Sequence, residues 1–175
     1  DKKIVFFQGR TLDGSKAKYM SRVGHTALYN YDFLDKSKPV IVLEGPINSM
    51  FVDNSTATVG AGSSGDLDMQ LQGLDCWYIF DNDTAGKKHA WKKVQEGKPV
   101  FLWNKFRFAY NLPEDINDIN DVVCFLNHRG KFTIDQLRRY FTTYTEMYKA
   151  IELQKEKLKP IPIHNPESEP EEEQP

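Results

Sequence analysis

The chain has 175 residues, of which 39% are hydrophobic and 27% charged, enough for one domain with a substantial core but too few for two ordinary enzyme domains. It has neither an apolar stretch long enough to span a membrane nor an opening signal-peptide pattern, so it reads as a soluble, cytoplasmic protein. The net charge of −2 hides an asymmetry. Five glutamates (Glu167, Glu169, Glu171, Glu172 and Glu173) crowd the last ten residues, and without them 23 bases face 20 acids, or +3. A mildly basic body with a Pro/Glu-rich tail suits a protein that handles phosphates, with the tail disordered.

In chain order, Lys3 to Phe7 reads as a strand, followed by Gln8-Gly9-Arg10 and a loop leading to Lys18-Tyr19-Met20, which together suggest a hairpin. Thr26 to Phe33 is a short helical candidate. Pro39-Val40-Ile41-Val42-Leu43 is β-branched and apolar throughout, the character of a central strand covered on both faces, and Glu44 stands at its carboxyl end. A helix is expected from Pro46 to Val52, because proline suits a first helical position. Thr56 to Val59 reads as the next strand, followed by a Gly/Ser-rich run from Gly60 to Gly65 and a short helix over Leu67 to Leu74.

Cys76-Trp77-Tyr78-Ile79-Phe80 repeats the buried-strand pattern and delivers Asp81 and Asp83 at i and i+2, on one side of the chain if it stays extended. Thr84 to Gln95 reads as a helix and Pro99 to Trp103 as another strand. The alternation predicts a parallel α/β sheet flanked by helices. Ile116 to Leu126 is expected to be helical, and Ile134 to Leu158 one long helix. In that helix Leu137, Tyr140, Phe141, Tyr144, Met147, Tyr148 and Ile151 would form a single apolar stripe, read as a docking face. The expected organisation is a domain over residues 1–130, an amphipathic helix over 131–159 and an acidic tail over 160–175. With no C-x-x-C pair, Cys76 and Cys124 read as small core residues and not as a disulfide framework or zinc site.

Glu44, Asp81 and Asp83 would meet where open α/β sheets build their sites, at the carboxyl ends of central strands. Carboxylates brought together repel unless a proton or cation intervenes, and all-oxygen donors favour Mg²⁺ or Mn²⁺. Taken alone, Asp83 reads as the cap of the helix that follows. The pairing of Glu-Gly after one strand with Asp-x-Asp-x-x-Gly after the other reads as a metal site.

These segments resemble the Toprim domain shared by topoisomerases, bacterial-type primases and some nucleases, over about Ile4 to Val123. Glu44 matches its glutamate motif, and Asp81-Asn82-Asp83-Thr84-Ala85-Gly86 with Lys87-Lys88-x-Ala90 resembles the version found in bacterial and phage primases and primase-helicases. Gly9-Arg10, Lys18-Tyr19 and Ala57-Thr58-Val59-Gly60 resemble further primase segments. The resemblance implies a catalytic and metal-binding role for Glu44, Asp81 and Asp83, and phosphate or template contacts for Arg10, Lys18, Lys87 and Lys88. Glu114-Asp115-Ile116-Asn117-Asp118 resembles a later acidic motif, with Glu114 in place of its leading lysine. Asp115 and Asp118 are therefore candidates for a further metal, the alternative being a cap of the helix near Ile116.

Asn48 stands where the family carries an aspartate, so a weaker or differently populated metal site is expected. The implied chemistry is primer synthesis from nucleoside triphosphates on a single-stranded DNA template, in the cytoplasm of a host if the source is a phage. Hydrolysis of phosphodiesters by a Toprim nuclease and a non-catalytic assembly module are the alternatives. Neither a Cys/His zinc module nor a Gly-x-x-x-x-Gly-Lys-Ser/Thr loop is present. A fragment, split protein or reduced relative is accordingly expected, working with a helicase or another primase subunit.

Overall fold

The computed structural model describes residues 7–11, 19–21, 27–59 and 69–153. Two short strands, β1 (Gln8–Arg10) and β2 (Tyr19–Ser21), pair antiparallel as a two-stranded sheet. Lys18, most of the strand expected over Lys3 to Phe7, the Gly60 to Gly65 run and the acidic tail lie outside the described residues.

A mixed sheet of six strands organises the rest. Its members are β3 (Ala27–Tyr29), β4 (Val40–Leu43), β5 (Ser55–Val59), β6 (Cys76–Ile79), β7 (Val100–Phe101) and β8 (Phe141–Thr142). In space the order is β3-β5-β4-β6-β7-β8. The four central strands run parallel, as the alternation predicts, while β3 and β8 close the two edges antiparallel. The helices are α1 (Pro46–Ser49), α2 (Thr84–Gln95), α3 (Trp103–Tyr110), α4 (Ile119–Leu126), α5 (Ile134–Leu137) and α6 (Thr145–Tyr148).

Every residue of β4 is buried because each face of the sheet has its own core. Ile41 and Leu43 join Ile79, Phe101, Trp103, Phe106, Ile119 and Val122 on one side. Val40 and Val42 join Cys76, Tyr78, Ala90, Val94 and Tyr148 on the other. This is the pleat's alternation expressed as two layers.

Several expectations are corrected. Residues 27–33 form β3 and a 3-10 turn (Tyr31–Phe33) instead of a helix. Asn30 adopts a left-handed conformation, and its side-chain amide donates to the Ser55 carbonyl, fastening the turn to β5. Trp103 opens α3 instead of ending a strand, and its indole donates to the Phe80 carbonyl at 2.7 Å.

The long C-terminal helix is not formed over its described part. After α5 come a 3-10 turn (Arg138–Tyr140), β8, α6 and a π turn (Lys149–Leu153). The β-branched and aromatic run Tyr140-Phe141-Thr142-Thr143 supplies the edge strand, where pairing with β7 outweighs the helical period. The expected stripe is split accordingly: Leu137, Tyr140 and Tyr148 enter the core while Tyr144 is 71% exposed. Cys76 is buried, but Cys124 is exposed and not a core residue.

Candidate acidic site at the switch point of the sheet

β4 has β5 on one side and β6 on the other, so the winding of the sheet reverses between β4 and β6. That reversal opens a crevice at their carboxyl ends. Glu44 follows β4 and Asp81 follows β6 by two residues. The Asp81 amide donates to Glu44 Oε1 at 3.4 Å, which brings the two acid motifs together. Thr58 Oγ1 donates to the Glu44 carbonyl at 3.2 Å, holding this strand end from β5.

The loop after β6 is held from several directions. Asn82 donates from its amide nitrogen to the Asn117 carbonyl at 2.6 Å and from Nδ2 to the Ile116 carbonyl at 3.1 Å. Its Oδ1 is buried without a partner among the described residues. Gly86 packs directly on the Asp81 backbone, where an added Cβ would stand 2.0 Å from the Asp81 carbonyl oxygen. The glycine of the Asp-x-Asp-x-x-Gly run is thus required by a close approach of main chain to main chain.

The aspartates divide by task. Asp83 is the N-cap of α2, its Oδ1 accepting from the Gly86 amide at 2.7 Å. Asp118 is the N-cap of α4, accepting from the Asp121 amide at 2.8 Å, while Asp121 accepts from the Asn117 amide at 2.9 Å. Both capping alternatives raised by the sequence are therefore realised. Asp81 has no such duty, and its carboxyl is pushed up to about 7 by burial first and then by the negative charges of Glu44, Asp118, Asp83 and Asp121. Asp115 is exposed on the preceding turn. Asn48 is buried, and its Oδ1 accepts from the Asn120 amide at 3.0 Å, so it ties α1 to α4.

Of the expected basic residues, Lys87 and Lys88 lie in the first turns of α2, Lys87 half-buried and Lys88 exposed. Arg10 is in β1, in the separate hairpin. Sequence reasoning missed four residues here: Asn82, Asp121, His89 and Glu152. His89 Nδ1 lies 3.7 Å from Glu44 Oε1, and its ring packs against Phe80. Glu152 is buried, and its Oε1 accepts from the Asn104 amide at 2.8 Å. Burial pushes it up to about 7, against the Asn104 hydrogen bond and the charges of Lys87 and Arg107. Only Asp121 had a readable signal, an acid three residues after a capping aspartate.

The donors suit a hard divalent cation, being oxygens with more negative charge than the crevice neutralises. Among the described residues no three His, Cys, Asp or Glu side chains are grouped so as to hold a metal ion. A Mg²⁺-type site does not require that, since it commonly takes one or two carboxylates and completes its shell with water and substrate phosphates. Glu44 and Asp81 fit such a pair.

Fold and site together define an α/β protein with an acidic crevice at the switch point of a mixed sheet. No protein-family model matches the chain. It is 31% identical over 131 residues to the DNA primase of Enterobacteria phage T4, an alignment covering 69% of this chain and 35% of that primase. The chain thus spans about a third of the length of the curated relative it matches. This similarity supports a relation to the primases and to replication. No helix among the described residues is long and apolar enough to cross a membrane.

Proposed function

We propose that the chain is a primase-type Toprim module that carries out nucleotidyl transfer for primer synthesis on single-stranded DNA, using Mg²⁺ or Mn²⁺. The observation that carries this reading is the meeting of Glu44 and Asp81 at the switch point, with Asp118, Asp83 and Asp121 adding charge around Asp81. Similarity to a phage DNA primase supports the substrate class.

Glu44 and Asp81 would hold the cation, with Asp83 and Asp118 contributing charge from their capping positions. The bound ion would neutralise triphosphate charge and polarise the reacting phosphoryl group. Lys88, exposed near the start of α2, would meet phosphate, and half-buried Lys87 would add positive charge there. Glu44 also has the chemistry to accept the proton of an attacking 3′-hydroxyl. Template and nucleoside triphosphates are the proposed ligands, and a helicase or another primase subunit the proposed protein partner.

The test is incorporation of labelled nucleotides on a single-stranded template with Mg²⁺ or Mn²⁺, for wild type, Glu44→Gln and Asp81→Asn. Template-dependent products lost in both variants support the proposal. Degradation of the template without incorporation would support a nuclease instead. Cation titration of the same proteins by calorimetry separates loss of binding from loss of chemistry.

A further inference from the structure

Helix α2 carries Lys87, Lys88, Lys92 and Lys93, and no acid stands between Thr84 and Gln95. Lys87 is half-buried, and Lys93 pairs with Glu96 at 3.0 Å. Lys88 and Lys92 are exposed one turn apart on one ridge, and neither forms an ion pair among the described residues. Like charges at that spacing repel, and Lys88 lies toward the helix end where the macrodipole favours anions. The ridge adjoins the face from which the chain leaves the fold. Tyr148 sets its ring 6.2 Å from that of Trp91 and donates from its hydroxyl to the Lys87 carbonyl at 3.3 Å. The Lys87 charge also acts on the carboxyl of Glu152, the residue before Leu153. Residues 154–165 then separate Leu153 from the run Pro166 to Pro175, which holds five glutamates and no base. A connection of that length extends to about 40 Å, and a helix of this size is about 18 Å long, so the run can reach any part of the ridge. Tethering gives it an effective concentration on the order of millimolar.

We propose that the acidic run over residues 166–175 seats on the ridge of Lys88 and Lys92 and competes there with the phosphates of single-stranded nucleic acid. The competition rests on the reading above, in which Lys88 meets phosphate; the docking itself does not. Charge complementarity selects this occupant. Five carboxylates meet a ridge that has no acid of its own, whereas the crevice of Glu44 and Asp81 and the loop from Asp115 to Asp121 carry like charge and repel them. A pairing between exposed groups is screened by salt and yields to a polyanion of higher charge density, so it covers the ridge until nucleic acid is offered.

The experiment compares the full chain with a variant carrying Glu167→Gln, Glu169→Gln, Glu171→Gln, Glu172→Gln and Glu173→Gln, which keeps the length and removes the charge. Amide NMR spectra at low salt should differ between the two at Lys88 to Gln95, and the differences should vanish when added salt shortens the screening length to about 3 Å. Fluorescent oligothymidylate, followed by anisotropy, should bind the neutral variant about tenfold more tightly at low salt, with the gap closing at high salt. In a Lys88→Gln/Lys92→Gln background the same five substitutions should move neither the α2 amides nor the oligonucleotide affinity. Unchanged α2 amides overturn the docking. A gain in affinity that persists undiminished in the Lys88→Gln/Lys92→Gln background reveals general repulsion by the acidic run and overturns the choice of ridge. Equal oligonucleotide affinity of the acidic and neutral chains, with the α2 differences present, overturns the competition and leaves the nucleic-acid reading standing. Absence of oligonucleotide binding by both counts against the nucleic-acid reading and the competition with it, while the α2 amides still decide the docking.

Discussion

Two acid-bearing loops meet through Asn82, which donates to the Ile116 and Asn117 carbonyls, and they spend their carboxylates differently. The loop from Asp115 to Asp121 uses Asp118 and Asp121 on backbone amides at the start of α4. The loop from Asp81 to Gly86 uses Asp83 on α2 but keeps Asp81 out of any capping role. Capping stabilises an anion with main-chain donors, whereas Asp81 is pressed by burial and four like charges without that relief. A carboxylate held in this way costs stability in the free protein, a cost that the proposed cation would offset.

The largest effect should come from breaking the scaffold of the Asp81 loop. Gly86→Ala places a Cβ into the Asp81 carbonyl and is expected to cost about 3 kcal/mol in urea unfolding, with loss of cation binding by calorimetry. Beside α2, Glu152→Ala leaves the part-buried Asn104 amide without its acceptor and should cost about 2 kcal/mol. Glu152→Gln keeps that acceptor. Because Glu152 is raised from 4.5 to about 7, its favourable contribution is complete below pH 4.5 and lost as pH climbs through 7. Stability of Glu152→Gln should match wild type at pH 4 and exceed it at pH 8.

The two loops are then compared directly. Asp83→Ala and Asp118→Ala each remove a cap and should each destabilise by about 1 kcal/mol at pH 7. Asp81→Asn should do the opposite. The folded chain holds the Asp81 proton up to about pH 7, against 3.8 for an ordinary aspartate, so ionisation between those values destabilises the fold. Thermal melts should show Asp81→Asn unchanged near pH 3 and stabilised at pH 8 by about 1 kcal/mol, allowing for solvent screening. By the same linkage, cation affinity should weaken as pH falls below 7. Asp115→Ala, at an exposed position, should change stability by less than about 0.5 kcal/mol and leave cation affinity unaltered.

Much of the sheet was legible because buried parallel strands carry a local signal. The β-branched run from Val40 to Leu43 and the run from Cys76 to Ile79 both became central strands, and Thr84 to Gln95 formed a helix over the residues expected. Glu44 and Asp81 could be placed at strand ends for the same reason. The capping of Asp83 and Asp118 was readable as an alternative, since a cap depends only on residues three positions away. His89 and Glu152 gave no such signal: one is defined by a distance to Glu44 across two elements, the other by a hydrogen bond to α3.

The amino-acid sequence by itself determined the parallel centre of the sheet, its helical crossover after β6 and the acids at its carboxyl edge, because period, β-branching and capping act over a few residues. Tertiary structure alone decided that Thr142 pairs at an edge instead of continuing a helix and that Asn48 binds the start of α4. It also left Asp81, beside Glu44, Asp83, Asp118 and Asp121, as the carboxylate without a structural partner among the described residues. Those outcomes depend on which distant backbone amides and charges arrive beside a side chain, and no local pattern encodes that.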